Sequence, residues 1–228
     1  MLSDNPPHNR KVARFLSSLL LFPLTRIARS DILMQRGDTM HADLYDYDGT
    51  ICPGDTGTAF WLYCLVRRPY ILLFLPIQIV GVILYLSGAH SAFARHASVY
   101  CFLRAVNSEK LVQRFAERRV RKTYPYFTQR DRSKPVVVCS ASPEFLLRPI
   151  CDRLGVGIVI ATDVDPRTGV IRGKRCKGKE KVRRLREALP DAAFDSVYSD
   201  SLRHDAFILR LGARAYHVVN GQPKEIRL

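Results

Sequence analysis

Polar residues at five places along this chain are of the types that phosphoryl transfer requires. Asp46 and Asp48 lie two residues apart, Ser140 and Asp200 each follow an apolar stretch, and Lys177–Lys181 begins a helix-like stretch. A carboxylate can attack phosphorus, and a second carboxylate nearby can donate and later accept the proton. A hydroxyl and a lysine can hold the transferring oxygens. Because clustered carboxylates suit Mg²⁺, the pattern predicts a magnesium-dependent reaction.

The elements that must position these residues alternate between strand and helix in residues 134–228. Predicted strands cover Pro135–Cys139, Val156–Val164, Ser196–Tyr198 and Ala215–Val219, with a short return strand within Thr168–Gly173. Predicted helices cover Pro143–Leu154, Lys177–Leu189 and Asp205–Leu211. With a first strand at Leu44–Tyr45, this alternation predicts an α/β fold, a Rossmann-like and mostly parallel sheet with helices on both faces. In such sheets ligands bind at the carboxyl ends of the strands.

Four motifs in order resemble those of the haloacid dehalogenase (HAD) superfamily of aspartate-nucleophile phosphatases, over residues 42–220. The first is Asp46-Tyr47-Asp48-Gly49-Thr50, and the second is Ser140 after an apolar run. The third, Cys176–Lys181, places lysines at a helix start, and the fourth is Ser199-Asp200-Ser201 with Asp205. Turn formation and helix capping explain each acidic residue singly but not the set.

The resemblance implies a role for each motif residue in the phosphatase reaction. Asp46 would be the nucleophile and Asp48 the general acid and base. The phosphate would be held by Thr50, Ser140 and a lysine. Mg²⁺ would be held by Asp46, by the backbone carbonyl of Asp48 and by Asp200, with Asp205 near the site.

Three positions leave alternatives open. Ser199 stands where the family usually has glycine. Lys181 fits the Gly-x-x-Lys form of the phosphoserine phosphatase-like subgroup, whereas Lys177 has the spacing to Asp200 found in other members; we favour Lys181. Asp55 and Thr56 either contact substrate or form a turn and helix cap.

The family resemblance implies a helical cap inserted after the first strand. We therefore expect an N-terminal extension at 1–40, a catalytic core at 41–56 and 131–228, and a partly membrane-associated cap at 57–130. Within the cap, Tyr70–Gly88 has no charged side chain. Ala92–Phe127 has a basic, amphipathic helical pattern.

The cap is similar to that of the bacterial phosphatidylglycerophosphatase C family. The similarity rests on Arg67-Arg68-Pro69 before the apolar run, and on Gly178–Val182 and Tyr198–Ser201 later in the chain. It implies that the substrate is a lipid phosphate such as phosphatidylglycerophosphate.

The order of the motifs restricts how the apolar run can meet a membrane. Asp46 precedes the run, whereas Ser140 and Asp200 follow it. One crossing of the bilayer would place these residues on opposite sides. The run must therefore re-enter one leaflet, pair with a second crossing, or lie buried in the protein. We favour a cap that dips into one leaflet, with the protein at the cytoplasmic face of the cell membrane.

The formal net charge of +15 indicates an anionic partner, and we favour an anionic membrane surface. No recognised motif or interleaved aromatic pattern supports nucleic acid. Six scattered cysteines predict free buried thiols in a reducing cytoplasm. Two alternatives remain: a cytoplasmic phosphatase of a small soluble ester such as phosphoserine, and a non-catalytic module that binds anionic lipid or nucleic acid.

Overall fold

A computed structural model describes residues 39–87 and 99–227, and its centre is a six-stranded sheet in the order β3-β2-β1-β4-β5-β6. The strands are β1 (Met40–Tyr45), β2 (Val136–Pro143), β3 (Ile158–Thr162), β4 (Ala192–Ser199), β5 (Gly212–Val219) and β6 (Gln222–Ile226). The pairs β1–β2, β2–β3 and β4–β5 are parallel, and β5–β6 is antiparallel. The predicted α/β fold with a mostly parallel sheet is confirmed.

The central strands are built from continuous apolar runs, as expected where helices cover both faces of a parallel sheet. Leu44 on β1 and Val137, Val138 and Cys139 on β2 are fully buried. Tyr198 on β4 stacks between Tyr45 on β1 and Tyr216 on β5, at ring-centroid distances of 4.3 and 4.7 Å. These aromatic contacts run across three neighbouring strands at the middle of the sheet.

Helices occupy the described chain between β1 and β2. They are α1 (Thr56–Arg67), a 3₁₀ helix at Pro69–Phe74, α2 (Leu75–Leu86), a 3₁₀ helix at Cys101–Ala105, α3 (Ser108–Val120) and α4 (Pro125–Thr128). Phe60 of α1 packs edge-on against Phe115 of α3 and Phe145 beyond β2, at centroid distances of 5.2 and 6.1 Å. These helices therefore share one hydrophobic core with the sheet, and the three predicted domains stay a prediction.

The uncharged run that begins at Tyr70 is not one long helix. It is divided into the 3₁₀ helix and α2, and its last residue, Gly88, lies outside the described residues. Pro76 stands at the second position of α2, where a proline is tolerated because no helical hydrogen bond is lost. Within 39–87 and 99–227 we find no helix with the length and apolar character needed to cross a bilayer.

The remaining helices follow the later strands: α5 (Glu144–Arg153), α6 (Lys179–Ala188) and α7 (Ala206–Leu209). The predicted helix at Asp205–Leu211 is shorter than expected, because Gly212 already pairs with Phe194 in the sheet. The predicted return strand is a single bridge between Val164 and Ile171. Of the predicted extension, only Thr39 and Met40 lie within the described residues. The beginning of the predicted Ala92–Phe127 helix lies outside them.

The strand β6 was not predicted, because its sequence Gln-Pro-Lys-Glu-Ile has little apolar alternation. A turn signal precedes it: Asn220 and Gly221 both have positive φ angles, 50° and 75°. Asn-Gly is the typical pair of a two-residue hairpin turn. The structure also confirms that all six cysteines are free and buried.

Candidate active site

The predicted motif residues converge at the carboxyl ends of β1, β2 and β4. Asp46 is the first residue after β1, and its amide donates to the carbonyl of Tyr198 on β4, at 2.9 Å. Ser140 lies within β2, and Asp200 is the first residue after β4. Lys181 is in the first turn of α6, whose N-terminus faces the same edge. The topology therefore brings together segments that are far apart in the sequence.

Asp46 lies in a buried chain of charges. The Lys181 ammonium donates to Asp46 Oδ1 and to Asp205 Oδ1, at 2.8 Å in both cases. Asp205 Oδ2 accepts a hydrogen bond from the Ser199 hydroxyl at 2.7 Å. All four side chains are buried. Ser199, which stands where the family usually has glycine, thus orients Asp205, and Asp205 in turn orients Lys181.

Burial has opposite effects on the two ends of the Asp46–Lys181 pair. It raises the pKa of Asp46 to about 7, although the Lys181 charge opposes the shift. Burial also lowers the pKa of Lys181, but Asp46 and Asp205 outweigh it, so that pKa lies above its usual value. The lysine is therefore charged at neutral pH, whereas Asp46 is poised between its neutral and ionised forms.

Asp48 is held by hydroxyl groups from two elements. Its Oδ1 accepts from the Thr56 amide at 2.8 Å and the Thr56 hydroxyl at 2.5 Å, and its Oδ2 accepts from the Ser142 hydroxyl. Arg119 Nη2 lies 3.8 Å from Oδ1. Burial raises the pKa of Asp48, and the hydrogen bonds from Ser142 and Thr56 oppose the shift. A carboxyl group with a raised pKa suits proton exchange near neutral pH.

Thr50 and Gly49 position Asp200. The Asp200 amide donates to Thr50 Oγ1 at 2.8 Å. Gly49 has a φ of +73°, and a Cβ built there would lie 2.2 Å from Asp200 Oδ2. Gly49 is therefore required both by its backbone conformation and by the close approach of this carboxylate. Burial, followed by repulsion from Asp205, raises the pKa of Asp200.

The structure separates the two candidate lysines. Lys177 is exposed and precedes α6, whereas Lys181 is buried against Asp46. Asp55 and Thr56 differ in a similar way. Asp55 caps α1 by accepting from the Thr58 amide at 2.6 Å, as the capping alternative predicts. Thr56 instead donates hydrogen bonds to Asp48, so Asp55 stabilises the start of α1 and Thr56 holds the Asp48 carboxylate.

Two contacts of Asp48 were missed by the sequence reasoning. Ser142 had a usable signal, because it lies two residues after Ser140 on the same strand, and alternate strand residues share a face. The Ser142 amide also donates to Ser140 Oγ at 3.2 Å. Arg119 had no such signal, because it is one of many basic residues in an amphipathic helix.

The acidic residues fit a magnesium ion. Asp200 has no lysine or arginine partner in the described chain, and its carboxylate is repelled by Asp205 and Asp48. Oxygen donors of this kind are those that Mg²⁺ prefers. Asp46, Asp200 and the Asp48 carbonyl would hold the ion, which would neutralise negative charge on the phosphate. No cluster of three or more His, Cys, Asp or Glu side chains that could hold a metal ion occurs in 39–87 and 99–227.

Comparisons with known proteins identify the family and the fold. A family model described as haloacid dehalogenase-like hydrolase matches residues 44–209. Protein CicA from Caulobacter vibrioides is 30% identical over 100 residues, which are 41% of this chain and only 45% of CicA. A crystal structure of a protein of unknown function from Bordetella pertussis has 23% identity and a TM-score of 0.57. The similarity covers 78% of this chain and 89% of that one, and it shows a shared fold.

Proposed function

This chain belongs to the haloacid dehalogenase-like hydrolase family, and we propose that it is a magnesium-dependent phosphatase that acts through Asp46. The observation that carries the proposal is the buried Asp46–Lys181–Asp205 chain beside a second, separately held carboxylate, Asp48. This arrangement supplies a nucleophile, a fixed positive charge and a proton donor at one edge of the sheet.

The reaction has two steps. In the first, Asp46 attacks phosphorus, the bond to the leaving oxygen breaks, and Asp48 gives that oxygen its proton. In the second, Asp48 takes a proton from water, which attacks the phosphorus of the aspartyl-phosphate and releases phosphate and free Asp46. Lys181 holds Oδ1 of Asp46, which leaves Oδ2 for attack. Ser140 and Thr50 lie at the same edge and are proposed to hold or position phosphate oxygens.

The substrate we propose is a lipid phosphate, because an apolar cavity opens beside Asp48. The cavity has a volume of about 580 Å³ and lies between α1, α2 and the end of β2. Its lining residues Asp48, Asp55, Ser142 and Arg175 form what we call its polar end, and Trp61 and Ile83 belong to its apolar part. An amphipathic substrate would place its phosphate at the polar end and an acyl chain along α2.

The apolar wall of this cavity continues onto the protein surface. Ile79, Val82 and Ile83 of α2 line the cavity and are also exposed by 51, 41 and 59%. Arg67 and Arg68 lie at the other end of the 3₁₀ helix that precedes α2. An apolar surface beside basic residues suits the interface of an anionic membrane, so we place the protein at the cytoplasmic face of the cell membrane.

A substrate panel tests the proposal. Purified protein with Mg²⁺ is expected to release phosphate from phosphatidylglycerophosphate, giving phosphatidylglycerol, much faster than from phosphoserine. Asp46→Asn is expected to abolish release from both while keeping the circular dichroism of the wild type. Preference for phosphoserine would replace the lipid assignment by a soluble phosphomonoester. Full activity of the Asn variant would refute the mechanism.

A further inference from the structure

A second cavity lies on the side of α1 that is formed with α3, and basic residues surround it. Its volume is about 630 Å³. Arginine and lysine side chains contribute five of its ten lining residues, and no aspartate or glutamate lines it: the five are Arg67, Arg118, Arg119, Arg121 and Lys122. We call this cavity the basic pocket.

The positive charge of the basic pocket is not neutralised within the described chain. Arg119 has one carboxylate near it, Asp48 at 3.8 Å, and the other four cations have no carboxylate within ion-pair distance in 39–87 and 99–227. Like charges held together repel one another, and an anion would relieve that repulsion.

Two buried polar atoms around the basic pocket also lack hydrogen-bond partners. They are the hydroxyl of Tyr63 and Nε of Arg119, on residues that are only 8 and 5% exposed. A buried donor without a partner costs free energy, so such groups usually mark a site for water or a ligand. Both groups can donate, which suits an acceptor such as a phosphate oxygen.

The aromatic wall fixes the basic side chains in place. The Arg67 guanidinium lies 3.6 Å from the centroid of the Tyr63 ring and donates to the Tyr63 carbonyl at 3.2 Å. Arg118 lies 5.4 Å from the same ring. A guanidinium held over an aromatic ring loses less freedom when it binds an anion.

From these observations we propose that the basic pocket is a second anion site, which adjoins the catalytic centre through Arg119 and binds a phosphate group of its own. The ligand is inorganic phosphate or the phosphodiester head of an anionic lipid, since both present the same oxygens. Leu62 and Val66, which are 51 and 81% exposed, add an apolar wall that the lipid would use and free phosphate would not.

The test follows backbone amide signals of the ¹⁵N-labelled full chain in magnesium buffer during titration with sodium phosphate at constant ionic strength. Saturable shifts are expected at Tyr63, Val66 and Lys122, with an isotherm distinct from that of Ser140 at the catalytic centre. Arg118→Ala/Arg121→Ala is expected to weaken the first isotherm about tenfold or more and to leave the second unchanged.

The matched control is Arg132→Ala/Arg227→Ala, which removes two exposed arginines that line neither described cavity. Both isotherms should stay as in the wild type. Absence of saturable shifts around the pocket, or equal weakening by both double variants, would overturn the proposal. A short-chain phosphatidylglycerol below its micelle concentration then identifies the source: tighter binding than phosphate indicates a lipid head, and equal or weaker binding indicates free phosphate.

Discussion

At the scale of single residues, the pairing of Lys181 with two buried carboxylates determines the charge available at Asp46. A cation placed between two carboxylates allows both to be buried together, and its removal leaves uncompensated charge in the interior. The two candidate lysines, Lys177 and Lys181, therefore differ, because only Lys181 stabilises buried carboxylates.

We predict that Lys181→Met lowers phosphatase activity by about 100-fold or more, because it removes the charge fixed beside the nucleophile. It should also lower the free energy of unfolding by about 3 kcal/mol, the usual cost of breaking a buried pair. Activity and urea denaturation measure the two effects. Lys177→Met is the control, since Lys177 is exposed, and it should change neither. A larger loss of activity from the Lys177 variant would reverse the assignment.

A second residue-scale prediction concerns pH. Burial raises the pKa of Asp46 to about 7. Magnesium can bind this carboxylate only after its proton has left, so protons compete with the metal below pH 7. The half-saturating Mg²⁺ concentration should therefore rise about tenfold between pH 8 and pH 6, and stay nearly constant above pH 8. Activity measured against Mg²⁺ from pH 5.5 to 8.5 tests this. A requirement that does not vary with pH would contradict it.

How far the site follows from the sequence also differs from residue to residue. The positions of Asp46, Asp48, Ser140 and Asp200 could be predicted, because the ends of parallel strands meet at one edge. The contact of Arg119 with Asp48 could not. It depends on how α3 packs against α1, and the basic pattern of α3 does not single out one arginine.

At the scale of elements, two similar residues within one turn of α2 differ in whether they line the cavity. Val80 and Val82 are both about half exposed, at 43 and 41%, yet only Val82 lines the cavity beside Asp48. The helix also has an internal anchor, since the buried Gln78 donates to the carbonyl of Val99 at 2.9 Å. The polar residue that interrupts the apolar run therefore attaches α2 to the protein.

We predict that Val82→Glu lowers kcat/KM for a monomeric short-chain lipid phosphate about tenfold or more, because a charge would lie where an acyl chain binds. Activity on a small phosphomonoester should be unchanged. Val80→Glu is the matched control, and it should change neither rate. Equal losses on both substrates would mean that Val82 acts on the fold rather than on the acyl chain.

The elements themselves were predicted where periodicity or a buried run was strong. The strands β1 to β5 and helices α5 and α6 were expected within a few residues. The run from Tyr70 was expected to be helical, but its division was not predicted, because apolar composition alone does not distinguish one long helix from a 3₁₀ helix followed by a shorter α-helix. The edge strand β6 carries Pro223 and charged residues, which protect a sheet edge from pairing with another chain. The same residues remove the alternation of apolar and polar side chains that would have predicted a strand.

At the scale of the whole molecule, the proposed membrane binding would use both the net charge of +15 and the apolar surface around α2. Electrostatic attraction to anionic lipids weakens with salt, whereas insertion of apolar side chains does not. The sequence indicated an anionic partner, but the location of the apolar surface relative to the catalytic centre depends on the folded chain.

We predict that the protein floats with vesicles of phosphatidylglycerol and phosphatidylcholine more than with phosphatidylcholine alone. Raising the salt from about 0.1 to 0.5 M should weaken this binding, because the Debye length falls. Leu73→Glu, at a position 80% exposed next to α2, should reduce flotation below that of the wild type at the same salt concentration. Leu202→Glu, at an exposed position outside that surface, is the control. Equal flotation with both vesicle types would contradict electrostatic recruitment.

The long separation between the site residues along the chain has a consequence for the timing of synthesis. Asp48 contacts a serine 94 residues later, Asp46 contacts its lysine 135 residues later, and Thr50 binds an amide 150 residues later. Contacts of this kind form slowly, because long loops must close first. During synthesis Asp46 therefore leaves the ribosome well before Lys181 and Asp200. The growing chain cannot assemble the proposed site until both of these later residues have been translated.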